Sequence, residues 1–392
     1  MRVCIVYDCL YPYTVGGAER WYRNLSERLA AEGHSVTYLT LRQWGEDETP
    51  DLSGVSVVAV GPPMALYRDG RRRIGPPLRF GLGVLWHLIR RGRSYDVVHT
   101  ASFPYFSLLA AGLVRLVHRF RLVVDWHEVW TRSYWHEYLG PVRGQMGWLV
   151  QRMCLRIPQR AFCFSRLHEK RLRDWGVRGE VTALSGQYQG PEGPPPPSRA
   201  AAPLVVFAGR HIPEKRVDAL IPALALVRAE IPELRAEVLG DGPDREKVLR
   251  LIAEHGLGGS VAAPGFVDGA QVEDSLERAM CLVVPSRREG YGLVVLEAAS
   301  KGTPTVVASA PDNAATELIA EGENGFVAPS ADPVDLATAI LKVHRAGAAL
   351  RMSTGSWFED NLPRLSLTSS LRVVLAAYGD LATQADAEPP DD

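Results

Sequence analysis

Glu289 and Glu297 stand eight residues apart in the run CLVVPSRREGYGLVVLEAASKG (281–302). The apolar residues before Pro285 predict a buried strand. Glu289-Gly-Tyr-Gly292 predicts a loop, and Leu293 the start of a helix. The first N–H groups of a helix have no intrahelical partner and sit at the positive end of its dipole, so they favour a diphosphate. Gly290 and Gly292 flank Tyr291 and leave that backbone open to close approach. Glu297 lies about one turn inside the helix. One carboxylate can then accept from a sugar hydroxyl and the other from a ribose. A solvated helix position is the alternative for Glu297, but its neighbours VVLEAAS are apolar, and a carboxylate there wants a partner.

Arg210 and Lys215 follow the strand-like LVVFAG (204–209) within FAGRHIPEKR. Fixed cations beyond a strand end stabilise charge that develops on a departing phosphate; two solvated surface cations are the plainer reading. Gly16 and Gly17 form a turn after the first strand-like run, but the spacing is not GxGxxG, and GDGPDR (240–245) also lacks the third glycine. Nicotinamide binding is therefore weakly supported. His127 follows RLVVDW, with Asp125 and Glu128 beside it to fix its tautomer; a satisfied structural histidine is the alternative, and His99 fits that alternative better. The aromatic segment 125–148 predicts an acceptor-side wall from Trp126, Glu128, Trp130 and Arg132, with core packing as the competing use of these rings. No DxD pair stands at a strand end, so cations and helix amides are expected in place of a metal; no other cofactor is expected.

These groups need a frame that delivers them to one edge. Short apolar runs (RVCIVY, HSVTYLTL, DVVHT, RLVVDW, then LVVFAG, RAEVLG, CLVVP, PTVVAS) alternate with helical patterns throughout the 392 residues. That alternation predicts parallel α/β sheets of βαβ units, whose ligands sit at the C-terminal strand ends. The expected division is a first Rossmann-like domain at 1–185, a Pro-rich linker at 186–200, and a second Rossmann-like domain at 201–350. A C-terminal helical segment at 351–382, with its helix near 366–382 after a less ordered stretch and crossing back to the first domain, and a disordered tail at 383–392 complete it. The two domains are expected to face each other across a central cleft.

The net charge of −1 conceals an asymmetry: 26 of the 44 basic and 16 of the 45 acidic residues fall within 1–190. A basic first half suits an anionic partner, although attraction between the two halves would also account for it. Seven arginines between Gly70 and Arg93 bracket LRFGLGVLWHLI, which reads as a basic amphipathic segment for an anionic membrane or as a solvated edge around a core helix. Nucleic acid is not expected, because no recognition motif accompanies the charge. Five cysteines without CxxC spacing suggest buried thiols in a reducing compartment. With no signal-peptide pattern and no apolar run near the roughly 18 residues of a membrane span, a cytoplasmic protein is expected, at most peripheral to the membrane.

The paired glutamates of REGYGLVVLEAAS, with GGAER (16–20), FAGRHIPEKR, GDGPDREKV, PGFVD and ENGFVAP in that order, resemble the family 4 retaining glycosyltransferases of GT-B fold over most of the chain. The resemblance implies transfer of a hexose-type sugar from a UDP- or GDP-sugar to a hydroxyl of a glycan, lipid-linked or envelope-polysaccharide acceptor. The anomeric configuration would be retained without a metal. A specialised metabolite as acceptor, a non-catalytic nucleotide-sugar binder and a GT-B epimerase are the alternatives. The resemblance further implies that the second domain binds the donor. Arg210 and Lys215 would hold the diphosphate, Glu297 the ribose, Gly265 and Phe266 the base, and Glu289 with His127 the sugar. Gly16 and Gly17 would approach the donor phosphate.

Overall fold

Apolar runs without polar alternation become central strands, because a parallel sheet is covered on both faces. The computed structural model describes residues 1–45, 47–68, 71–191 and 202–387. It divides into two units, Met1–Gln187 with Leu367–Asp392, and Tyr188–Ser366.

The first unit runs β1 (Arg2–Val6), α1 (Gly17–Ala31), β2 (Ser35–Leu41), β3 (Val55–Gly61), and a short antiparallel pair, β4 (Tyr67–Arg68) and β5 (Arg71–Arg72). It continues with α2 (Gly75–Arg91), β6 (Val97–Ala101), α3 (Tyr105–Val114) and β7 (Arg121–Trp126). Then follow α4 (Arg132–Leu139), α5 (Pro141–Leu155), β8 (Arg160–Cys163), α6 (Arg166–Asp174) and β9 (Val181–Ala183). Seven parallel strands form one sheet in the order β3-β2-β1-β6-β7-β8-β9. Helix α1 buries Trp21, Leu25 and Leu29, one face at helical spacing, and Gly33 ends it at φ +84.

The second unit contains β10 (Leu204–Ala208), α7 (Val217–Glu230), β11 (Arg235–Leu239), α8 (Arg245–Glu254), β12 (Val261–Gly265), α9 (Gly269–Arg278) and β13 (Cys281–Val284). After these come β14 (Arg288–Glu289), α10 (Leu293–Ala299), β15 (Thr305–Ala308), β16 (Asp312–Asn313), β17 (Gly325–Ala328) and α11 (Pro333–Leu365). Its six-stranded parallel sheet has the order β12-β11-β10-β13-β15-β17. Alternate residues of β10 feed two cores: Val205 and Phe207 pack with α7, and Val206 packs with α10. Helix α11 bends at Gly347 (φ 56, ψ −139), which moves its buried residues from the first core (Leu336, Ile340, Val343) to the second (Trp357, Phe358, Leu365).

Arg351, just past that bend, is 4 % exposed. Its guanidinium donates to the carbonyls of Ala279 (2.6 Å), Lys301 (3.3 Å) and Glu277, and to Thr303 Oγ1 (3.1 Å). A single buried cation thereby satisfies carbonyls at the C-terminal ends of α9 and α10.

The expected boundaries shift. The stretch after 350 is helical rather than less ordered, because Leu350, Thr354, Trp357, Phe358 and Leu365 bury one face. The chain rejoins the first unit only at Leu367, with α12 (Leu367–Ala387). That helix extends through the first five residues of the expected disordered tail; 388–392 lie outside the described residues. The expected linker is held at its start, where Gly186 N donates to Ser370 Oγ (3.0 Å) and Tyr188 N to the Leu365 carbonyl (2.9 Å). Residues 192–200 of it lie outside the described residues. All five cysteines are free and buried.

Candidate active site

In the second unit the C-terminal strand ends are laced together by main-chain bonds. Gly209 N donates to Leu239 O, Gly240 N to Gly265 O, His211 N to Asp241 O, and Asp244 N to His211 O, all within 2.8–3.1 Å. A Cβ on Gly240 would lie 1.9 Å from Gly209 O, and one on Gly242 would lie 2.4 Å from His211 O. The glycines of GDGPDR thus let two strand-end loops touch.

Arg210 is exposed on this edge, and its guanidinium forms no ion pair among the described residues. Lys215 closes a 3₁₀ turn (Pro213–Lys215), and its Nζ lies 2.5 Å from Glu289 Oε1. The same carboxylate oxygen accepts from Ser286 Oγ at 2.7 Å. Glu289 is itself placed by the two-residue pairing of β14 with β16, in which it faces Asn313. Asn313 Nδ2 donates to Ser286 O and Ala308 O, both at 2.8 Å, and its Oδ1 accepts from Ala315 N at 3.1 Å. The acid and the cation expected from separate motifs therefore meet as a largely buried pair, with side chains 11 % and 23 % exposed.

Gly292 precedes α10 at φ +101, and a Cβ there would lie 2.7 Å from Ala315 Cβ. Packing as well as conformation requires glycine at this point. Gly290, Tyr291, Leu293 and Glu297 are half-buried, Glu297 as the fifth residue of α10. Gly265 ends β12 at φ +96 beside Arg245, while Phe266 is 78 % exposed.

In the first unit Gly16 caps α1 in an extended conformation (φ −171), and a Cβ there would lie 2.4 Å from Glu19 Oε2. His127 follows β7 with its ring stacked on Phe164 (centroids 4.6 Å apart). Burial pushes it down to about 4, against the pull of Asp125. The expected bond from Asp125 to His127 is not made. That carboxylate is fully buried, 2.8 Å from His99 Nε2, and accepts from Trp21 Nε1 at 2.7 Å. Burial works to raise Asp125, but the charge and hydrogen bond of His99 outweigh it and hold the group below the usual carboxylate range. His99 Nδ1 meets Tyr378 Oη at 2.6 Å, so His99 has the structural role.

The acceptor-side wall is corrected in part. Trp126 is fully buried, with Nε1 donating to Gln159 Oε1 at 2.8 Å; the last residue of a strand covered on both faces points into the core. Trp130 is half-buried against Phe103, Tyr134, Trp135 and Tyr138, and its Nε1 donates to Glu128 Oε2 at 2.9 Å. Arg132 is exposed and donates to Gln145 Oε1 at 2.8 Å. Ser165 caps α6 by accepting from His168 N.

Ser286, Asn313 and His211 went unrecognised in the sequence. Ser286 lies just after a strand, a position that signals a site. His211 gave no signal: its ring is fully buried with neither nitrogen hydrogen-bonded. Among the described residues no group of His, Cys, Asp and Glu is placed to hold a metal ion.

The fold matches sucrose-phosphate synthase from Thermosynechococcus elongatus at a TM-score of 0.78 and 20% identity, over 98% of this chain and 99% of that one. It also matches Anabaena HepE, solved with UDP and glucose, at 0.71 and 17%, over 97% and 99%. Two parallel sheets of this kind make up the GT-B fold.

Residues 15–184 match the family model Glycosyltransferase Family 4, and residues 195–354 match Glycosyl transferases group 1. The chain belongs to glycosyltransferase family 4. Glycogen synthase of Mycobacterium tuberculosis is 25% identical over 88% of this chain and 86% of its own length. D-inositol 3-phosphate glycosyltransferase of Stackebrandtia nassauensis is 32% identical over 47% of this chain and 43% of that protein. The exopolysaccharide phosphotransferase SCO2592 of Streptomyces coelicolor is 34% identical over 41% of this chain, which spans only 17% of that protein.

Proposed function

We propose that the protein is a retaining hexosyltransferase that uses a nucleotide-diphosphate sugar and a hydroxyl acceptor on a glycan, lipid-linked or envelope polysaccharide. The observation that carries this reading is the Lys215–Glu289 pair at the C-terminal edge of the second sheet, with Arg210 unpaired on the same loop. Lys215 and Arg210 neutralise the departing diphosphate, and the first N–H groups of α10 add to that field. Glu289 orients Lys215 and accepts from a sugar hydroxyl, Glu297 holds the ribose, and the strand end at Gly265–Phe266 meets the base. In the first unit His127, kept neutral by burial, takes the sugar-contacting role that the resemblance implies. Gly16 and Gly17 meet the phosphate.

The sugar C1–phosphate oxygen bond breaks, and the acceptor oxygen bonds C1 from the same face. The acceptor proton passes to the leaving phosphate oxygen, so neither a protein nucleophile nor a metal is required. UDP is the favoured nucleotide, since HepE was solved with UDP and glucose; GDP is the second choice. Thermal-shift screening against UDP, GDP, ADP and their sugars tests the donor. The expected result is a shift with one diphosphate family that Lys215→Ala removes; stabilisation by none of them overturns the reading. Donor binding without turnover on any acceptor would mark a non-catalytic binder.

A further inference from the structure

Helix α2 buries Phe80, Val84 and Leu88 and turns Leu78, Leu82, Trp86 and Ile89 to solvent, each at least 42 % exposed. Helix α5 repeats the arrangement. Gly144, Gln151, Cys154 and Leu155 are buried, while Val142, Met146, Leu149 and Met153 on the opposite side are at least 52 % exposed. Between these two helices lies α3, which packs on both and is followed by exposed Leu116 and Val117. The three helices and their immediate flanks hold 12 of the 19 large apolar residues exposed among the described ones. Exposed apolar residues scattered singly need no explanation, but a concentration on one helical layer does.

Charge says what covers it. Helices α2, α3 and α5 contain no Asp or Glu, and Arg79, Arg90, Arg91 and Arg143 are exposed on them. Asp96, between α2 and β6, is already paired with Arg2 at 2.6 Å. The Arg90 guanidinium lies 3.9 Å over the Trp86 ring, so the aromatic face and the cation are presented together. A protein partner would be expected to meet some matching acid on this face. Apolar stripes on helices that carry arginine and no acid instead match hydrocarbon beneath a sheet of phosphates.

We infer that the α2–α3–α5 layer of the first unit docks on the surface of an anionic lipid bilayer, with the apolar stripes of α2 and α5 entering the headgroup boundary. The inference gives the proposed transferase a location for its acceptor, and it rests on that reading only for the acceptor; the docking itself is independent of turnover.

The test is flotation of the full chain, without donor, on vesicles of equal parts phosphatidylglycerol and phosphatidylcholine and on vesicles of phosphatidylcholine alone. Binding to the anionic vesicles only is expected. Replacing Arg90 and Arg91 together by Gln weakens it roughly 30-fold, about fivefold for each cation. Leu82→Glu on α2 and Met146→Glu on α5 each abolish it. All variants keep the wild-type thermal shift with the nucleotide, which reads the second unit and separates failure of docking from failure of the transferase assignment. No anionic preference, or retention by Met146→Glu, overturns the inference. So does a wild-type dimer that Leu82→Glu makes monomeric without any vesicle binding, which would assign the face to self-association.

Discussion

The Lys215–Glu289 pair lends itself to a double-mutant cycle with Lys215→Met, Glu289→Gln and both together. Exposed ion pairs contribute up to about 1 kcal/mol, whereas removing one member of a fully buried pair costs about 3–5 kcal/mol. Here the side chains are 23 % and 11 % exposed, and Ser286 Oγ still serves Glu289 once the lysine is gone. Each single substitution should therefore cost about 2 kcal/mol of unfolding free energy. The double variant leaves no uncompensated charge and should cost about 2–3 kcal/mol, a coupling near 1.5 kcal/mol. Transfer reports separately. Loss of a fixed cation at a departing diphosphate lowers kcat about 10²–10³-fold, and Lys215→Arg should recover part of it. Urea unfolding measures the first quantity, and release of nucleoside diphosphate with a competent acceptor the second. Additive stabilities, together with Lys215→Met turnover within about tenfold of wild type, would refute the reasoning.

Two further outcomes concern stability. Burial lowers His127 to about 4 and His168 to about 3, so the unfolded chain takes up protons below about pH 6.5 that the folded one refuses. Stability of the first unit should fall between about pH 7 and pH 5 by roughly 2 kcal/mol for each histidine, and His127→Gln should remove about half of that slope; equal urea midpoints at the two pH values would count against it. Arg351→Met strips a buried donor from four oxygens and should cost about 3 kcal/mol by denaturant titration. Lys at 351 should recover less than half, since one ammonium cannot reach both helix ends.

The sheets were legible because short apolar runs and helical patterns alternate along the chain, and the loop before α10 because Gly290 and Gly292 interrupt the apolar pattern there. Lys215 and Glu289 were each marked by a motif, but their contact spans 74 residues and depends on the β14–β16 pairing, which two residues per strand could not reveal. Trp126 misled because a strand buried on both faces gives no alternation from which to read direction. Asp125 misled for a related reason: its partners, His99 and Trp21, arrive from other elements, while its sequence neighbour His127 points elsewhere. The helix through Trp357 and Phe358 was hidden by Gly355 and Pro363, residues that argue locally against the structure the two cores impose.

The first unit is assembled from two separated stretches of chain, and Tyr378 on α12 completes the buried relay through His99 and Asp125 to Trp21. During synthesis, residues 188–366 emerge and can fold while the earlier sheet still lacks that phenol. Cutting between Ser366 and Leu367 would therefore injure the N-terminal lobe rather than the one to which the cut is adjacent in sequence.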